Sequence, residues 1–268
     1  RSFNFDYFIL PPTINNKKGK LLFKLSNSKK LIFHYPIHSK PKKNEVYVNK
    51  FKHKVLKNIE FVRYFEDWND DEIIKFAKNN YFLDNLRDID IHDFKIDEKY
   101  LLLHPGSGSE TFKRYPIDKW LDLVVLLLEN YPEYKIYISG TGKDEDLLAT
   151  FIIDGLPTNT SVKNIVSKYT LTETITIIKN CDLFISADCG PTHLASIMNV
   201  KMVTVFGPTD YEITGPFTHC TPVRANTKLT CMPCYSSKRY GVKGCETVDC
   251  IQVLDSFQVL EAINENLQ

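Results

Sequence analysis

The sequence predicts an α/β protein whose later two-thirds form a Rossmann-like domain, and three stretches predict it. Leu183-Phe184-Ile185-Ser186-Ala187 reads as an apolar strand that runs into Asp188-Cys189-Gly190, and Pro191 then opens a helix through Thr192, His193, Leu194 and Ala195. Proline suits the first helical turn, where its missing N–H removes no hydrogen bond. Val203-Thr204-Val205-Phe206 repeats the pattern into Gly207-Pro208-Thr209-Asp210, and Leu101-Leu102-Leu103-His104 runs into the small-residue loop Pro105-Gly106-Ser107-Gly108-Ser109. Strands and helices in this alternation imply a parallel sheet with crossover helices. A helix N-terminus behind a glycine turn suits a phosphate, because its first N–H groups are unpaired and partly positive.

Taken in order, residues 7–11 and 30–37 read as strands, with a short helix over 21–25 between them. Residues 49–64 read as a helix with Phe51, Val55, Ile59 and Val62 on one face. A helix at 70–79 opens an acidic stretch, and a linker rich in Asp and Ile follows. From about residue 99 the β-α alternation begins: strand 100–104, loop 105–116, then helix 117–130 carrying Trp120, Leu123, Leu126 and Leu127. Strand 135–139 ends at Ser139-Gly140-Thr141-Gly142 and leads to helix 143–153. A short element near 163–166 precedes helix 171–179, strand 182–187, helix 191–198 and strand 201–206. A final helix over about 256–267 places Phe257, Leu260 and Ile263 on one face. The organisation expected is a partial α/β domain over 1–95, a complete Rossmann-like domain over 96–255 and a C-terminal helix over 256–268.

At 268 residues the chain is long enough for a sizeable core. No apolar run reaches the ~18 residues of a membrane span. The opening Arg1-Ser2-Phe3-Asn4-Phe5-Asp6 shows no signal-peptide core. The chain does not begin with Met, so the expectation is that something precedes it or was cut away. The net charge of +1 conceals a split: residues 1–64 carry fifteen Lys and Arg against three Asp and Glu, a net of +12, and the rest carries −11. A solvated Lys-rich surface explains any single lysine. The cluster points to an anionic partner, which on charge alone is a membrane surface, a phosphorylated lipid or nucleic acid. Seven cysteines, an odd number with no secretion signal, favour a reduced, cytoplasmic protein.

Asp188-x-Gly190-Pro191-x-His193-Leu194-Ala195, a strand, and then Phe206-Gly207-Pro208-Thr209-Asp210 together resemble the donor-site signature of glycosyltransferase family 9, the heptosyltransferases of lipopolysaccharide core assembly. The stretch Leu103 to Ser109 followed by Lys113-Arg114-Tyr115-Pro116, with Trp120 in the next helix, is similar to that family's strand, small-residue loop and K-x-[WY]-P segment. The resemblance covers roughly residues 100–268, in the family's order. It implies a GT-B architecture, two Rossmann-like domains facing a cleft. Residues 1–95 would then be the later part of the acceptor domain, since no opening strand-and-glycine-turn unit is visible in them. The implied activity is inverting, metal-independent transfer of a sugar, heptose from ADP-heptose, to a lipopolysaccharide or lipooligosaccharide core. A non-catalytic nucleotide-sugar-binding module and a transferase of the same fold with another sugar nucleotide are the alternatives. The partners implied are the nucleotide-sugar donor, an anionic phosphorylated glycolipid and the anionic inner face of the inner membrane, with no cofactor. A nucleic-acid partner would explain the lysines but not the Asp188–His193 turn. A dehydrogenase is disfavoured because no G-x-G-x-x-G follows a first strand.

Such a transfer must stabilise a departing diphosphate, pass an oxocarbenium-like state and take a proton from the acceptor hydroxyl. Lys113 offers a point charge, Ser107, Gly108 and Ser109 a small loop, and Gly190 and His193 a helix terminus open to phosphate oxygens. Asp188 lies at a strand's carboxyl end, where it serves as a helix cap, a ligand contact or both. The resemblance implies that it contacts the donor sugar. Lys113 and Asp188 are the catalytic candidates, and no general base is assigned. Gly140 and Thr141 belong to the donor site or to a plain strand-helix turn; by family position the resemblance implies an acidic residue, Glu145, on the ribose hydroxyls, and Tyr169 would line the adenine through its backbone. Cys189 is a small residue in the donor turn. The spacing of Cys231, Cys234, Cys245 and Cys250 permits a tetrahedral zinc site. A similar cysteine tail is common in the family outside its chemistry, so no metal ligand is assigned. Lys113→Ala and His193→Ala are expected to weaken ADP binding with little loss of stability.

Overall fold

The computed structural model describes residues 7–10, 30–33, 45–47, 53–80, 88–91, 93–95, 97–108, 110–225, 229, 231–232, 234 and 247–268. Contacts divide the chain into two units, Arg1–Tyr81 and Phe82–Gln268.

In the first unit β1 (Tyr7–Leu10), β2 (Lys30–Phe33) and β3 (Glu45–Tyr47) form a parallel sheet in that order, with Tyr7 opposite Lys30 and Leu31 opposite Glu45. The helix expected over 21–25 and positions 34–37 of the second strand lie outside the described residues. The helix expected over 49–64 is instead α1 (Lys54–Ile59) followed by a 3₁₀ turn over Glu60–Tyr64, and Phe51 lies outside the described residues. His53 caps α1 by accepting the Val55 N–H at 3.2 Å. The aromatic and β-branched run Phe61, Val62, Tyr64 does not favour a longer α-helix. Arg63 also draws the chain into a turn by donating to the Trp68 carbonyl at 2.7 Å and pairing with Asp70. α2 (Asp70–Asn80) begins behind Asn69, whose side chain and backbone exchange hydrogen bonds with Glu72. Such a reciprocal cap satisfies helix donors that would otherwise be orphaned.

The second unit is built on six parallel strands: β4 (Tyr100–His104), β5 (Lys135–Ile138), β6 (Val162–Asn164), β7 (Leu183–Ala187), β8 (Met202–Val205) and β9 (Cys220–Val223). Their spatial order is β6-β5-β4-β7-β8-β9. Between and after them run α3 (Ile117–Asn130), α4 (Lys143–Asp154), α5 (Leu171–Asn180), α6 (Gly190–Ile197), α7 (Tyr211–Thr214), α8 (Asp249–Gln252) and α9 (Ser256–Leu267).

Both faces of this sheet are covered, and side-chain alternation along the strands divides the core in two. Leu101, Leu103, Ile136, Ile138, Leu183, Ile185, Val203 and Val205 face one cluster, with Trp120 and Leu127 of α3, Ile152 of α4 and Ile263 of α9. Tyr100, Leu102, Tyr137, Phe184 and Met202 face the other, with Ile177 and Ile178 of α5 and Ala195 of α6. Ile91 and Phe94 belong to that second cluster, where the Phe94 ring lies 4.7 Å from Tyr137 and 5.3 Å from Tyr100. These residues precede the sequence-derived boundary near 95, yet they cover this sheet face. On α9 the buried stripe is Val259, Leu260, Ala262 and Ile263. Phe257 is 60% exposed, because its place in the first turn, beside the Asp255 cap, lies off the face that meets α3.

The strand order reverses between β4 and β7. From β4 the chain steps outward through β5 and β6, then returns to the far side of β4 as β7. The loops after β4 and β7 therefore part in opposite directions and leave a crevice at the carboxyl ends of these strands, which is where open α/β sheets hold their ligands.

Candidate functional site

At that crevice the turn after β7 presents Asp188, and the loop after β4 folds Lys113 against it. Both residues are buried, at 5% and 8% exposure. Lys113 Nζ lies 3.1 Å from Asp188 Oδ2 and 2.7 Å from Glu110 Oε2. Burial alone would push the lysine pKa down, but the bond to Glu110 and the charge of Asp188 outweigh it, and the net shift is upward. Lys113 therefore keeps its charge at neutral pH. Thr209, fully buried in the turn after β8, donates its hydroxyl to the same Asp188 Oδ2 at 2.8 Å. Arg224 in turn donates to the Thr209 carbonyl and lies 5.1 Å from the centre of the Tyr211 ring.

Asp188 is not the helix cap. Cys189 holds that position with extended backbone, and no side chain caps α6. The first turn of α6 thus keeps donors and dipole for whatever enters the crevice. A Cβ at Gly190 would meet nothing within 4 Å, so the space before the helix is open. His193 is exposed on the same first turn.

A second carboxylate organises the loops after β4 and β5. Glu145, buried in the first turn of α4, accepts the Thr141 N–H at 2.7 Å and the Gly108 N–H at 3.3 Å. Two glycines make room for it. A Cβ on Gly106 would stand 2.0 Å from Glu145 Oε1, and one on Gly140 2.7 Å from Oε2. Gly108 has φ +59°, a conformation that glycine adopts without strain. Ser107 shapes the same loop by donating its hydroxyl to the Glu110 carbonyl at 2.7 Å, and Arg114 holds the Gly108 carbonyl at 2.8 Å. His104 Nε2 lies 3.9 Å from Glu145 Oε2, and its Nδ1 is 3.1 Å from the Ser139 hydroxyl. Burial drives the His104 pKa down against the opposing pull of Glu145, which leaves a neutral imidazole.

Beside this loop lies a cavity of about 240 Å³. It is lined by Leu102 and His104 of β4 and Ser139 after β5, together with Ile165, Tyr169, Ile177 and Leu194. A mostly apolar lining with a few polar groups is the kind of surface that takes a small organic ring.

A family model described as glycosyltransferase family 9 (heptosyltransferase) matches residues 28–241. The chain belongs to glycosyltransferase family 9. Lipooligosaccharide heptosyltransferase 2 of Campylobacter jejuni is 31% identical over 193 residues, 64% of this chain and 59% of the relative. Lipopolysaccharide heptosyltransferase 1 of Campylobacter coli is 36% identical over 114 residues, 42% of this chain and 33% of the relative. The chain thus spans less than two-thirds of the length of these relatives. Among solved structures, the E. coli heptosyltransferase WaaC with ADP superposes with a TM-score of 0.66 at 17% identity, covering 99% of this chain and 74% of that one. E. coli ADP-heptose lps heptosyltransferase II gives 0.62 at 15%, covering 97% and 75%. At such identity the likeness speaks to the fold, and the fold is the GT-B-like α/β class that the sequence implies.

Within this family 9 domain, the structure brings Lys113, Asp188, Cys189 and Gly190 to one crevice. It sets Ser107, Gly108, Gly140 and Thr141 in the adjoining loops and Glu145 on the first turn of α4, while Ser109 lies outside the described residues. Tyr169 lines the cavity, with its ring 5.8 Å from Phe94. The hydroxyl of Ser107 and the carboxylate of Glu145 are engaged in holding backbone. Burial raises the Cys189 thiol pKa, so it is a poor nucleophile. Of the cysteine tail, Cys250 is buried on α8 against Gly207, Cys231 is exposed and Cys245 lies outside the described residues. Among the described residues no three His, Cys, Asp or Glu side chains converge as a metal site. Sequence reasoning missed Glu110, Thr209, His104 and Arg224. Glu110 stands three residues before Lys113, within reach across one turn, and Thr209 sits inside the Phe206–Asp210 motif, so both left a faint signal.

Proposed function

We propose that this family 9 chain transfers a heptose from ADP-heptose to a lipopolysaccharide or lipooligosaccharide core, with inversion and without a metal ion. The observation that carries the reading is the charged, buried Lys113 held 3.1 Å from Asp188 beside the uncapped N-terminus of α6. Transfer breaks the bond between the anomeric carbon and the diphosphate oxygen and forms one to the acceptor oxygen. Negative charge develops on the departing phosphate, and Lys113 with the first-turn N–H groups of α6 would meet it. Asp188 would face the sugar, the cavity lined by Leu102, Ile165 and Tyr169 would take the adenine, and His193 would reach a phosphate oxygen. WaaC, whose structure holds ADP, supports an adenine nucleotide in a fold of this kind. The acceptor hydroxyl's proton passes to a base that we do not assign.

Titration calorimetry with ADP tests the donor site. Binding is expected, and it should survive a chelator because lysine and helix dipole supply the positive charge. Loss of binding in chelator with recovery in magnesium would overturn the metal-independent reading. Consumption of ADP-heptose in the presence of a phosphorylated core acceptor is expected of the transferase. ADP-heptose binding without turnover would instead support the binding module.

The +12 charge of residues 1–64 supports contact with the anionic acceptor and with the cytoplasmic leaflet. Among the described residues no helix is long and apolar enough to cross a membrane. Electrostatic attachment is screened as the Debye length falls from about 10 Å at 0.1 M salt to about 3 Å at 1 M. In vesicle sedimentation the chain should bind anionic vesicles at low salt, release them at high salt and ignore neutral ones. Equal binding to neutral vesicles would show that the lysines are merely solvated.

A further inference from the structure

We infer that Thr209 is a positioning residue that reserves one oxygen of Asp188 for the donor sugar, an inference that rests on the donor site proposed above. Thr209 Oγ1 at 2.8 Å and Lys113 Nζ at 3.1 Å both engage Oδ2 of Asp188. Among the described residues Oδ1 accepts no hydrogen bond. Two donors on one oxygen fix the rotation of the carboxylate and leave its other oxygen as the one that can accept from the donor sugar. Lys113 cannot do this alone, because its ammonium is a rotatable point charge that Glu110 shares at 2.7 Å. The Thr209 hydroxyl is directional and rigidly held: the residue is fully buried, its carbonyl accepts from Arg224, and that guanidinium lies over Tyr211. The chain of contacts thus links the turn after β8 to the sugar-facing atom through a group that need not touch the substrate. A carboxylate oxygen presented in this way takes a sugar hydroxyl, a group that ADP-heptose offers at this position and ADP does not.

The experiment compares ADP with ADP-heptose by calorimetry on the full chain and on Thr209→Val and Thr209→Ser. Valine keeps the buried shape and removes the donor, and serine keeps the donor. The wild type is expected to bind ADP-heptose more tightly than ADP. Thr209→Val should leave ADP affinity unchanged and weaken ADP-heptose by about tenfold to a hundredfold, the loss expected when a hydrogen bond to a charged group is removed. Thr209→Ser should restore most of it. An equal fall for both ligands in Thr209→Val would show a merely structural role and overturn the inference. Unchanged preference for ADP-heptose in Thr209→Val would overturn it and leave the donor site standing. Failure of the wild type to bind either ligand would overturn the donor-site reading, and this inference with it.

Discussion

Lys113→Ala is expected to abolish measurable ADP binding and also to lower the melting temperature by several degrees. The first effect follows from removing the charge proposed to face the diphosphate. The second corrects the expectation of little stability loss. Lys113 is buried and stands between two carboxylates, so its truncation leaves Asp188 buried without its cation. Breaking a buried pair from one side costs about 3 kcal/mol or more, which corresponds to several degrees in a domain of this size. His193→Ala is the contrast. That residue is exposed on α6, so its loss should weaken ADP binding with the melting temperature held. The Lys113 pKa is raised on folding, so its ion pairs contribute stability below the lysine's unfolded pKa, and that stability is lost only as pH rises through the folded value. Between pH 6 and 9 the melting-temperature gap between wild type and Lys113→Ala should therefore stay flat where only Lys113 is concerned. Calorimetry and thermal melts check all of this. A Lys113→Ala chain that melts with the wild type would mean that Asp188 finds other partners.

Gly106→Ala is expected to be nearly as damaging, although it adds one methyl group. That methyl would stand 2.0 Å from Glu145 Oε1 and 2.2 Å from Glu145 Cδ, well inside contact distance. Glutamate ends are flexible, but this one is buried and holds the Thr141 and Gly108 N–H groups. Driving it out breaks two hydrogen bonds to a charged acceptor, a loss of about 3 kcal/mol in total. It would also free the loop that carries Lys113 toward the crevice. The cause can be isolated with Glu145→Ala and the double variant. If the clash with Glu145 is responsible, the double variant should be no less stable than Glu145→Ala alone, a clear departure from additivity. Additive losses would place the strain of Gly106→Ala elsewhere.

The fold of the second unit was largely legible because parallel strands covered on both faces must be apolar throughout, as Leu101 to Leu103 and Leu183 to Ile185 are. Helices such as Ile117–Asn130 and Ser256–Leu267 showed their bounds through proline or acidic starts and a 3.6-residue stripe. β9 escaped notice because Pro222 weakens its strand signal. Its place at the sheet edge explains the tolerance, since an edge strand leaves one side unpaired. The face of Phe257 was misread because one apolar residue in a first helical turn fits a periodic stripe whether or not anything packs there.

The sequence by itself determined the chemistry available: a lysine after a small-residue loop, an aspartate at a strand end, and a helix opened by Gly190 and Pro191. Local physics sufficed there, because turns, caps and strand ends are decided by neighbours along the chain. Only the tertiary structure decided which groups share an atom. Lys113 and Thr209 meet at one oxygen of Asp188, from positions 75 residues before and 21 after it, because the sheet order sets β4 and β8 on either side of β7. In the same way Glu145 became the brace between two loops, since Gly106 and Gly140 leave a space that only packing could assign to it. A sequence lists the donors and acceptors, but which of them pair depends on distances that exist only once the chain has folded.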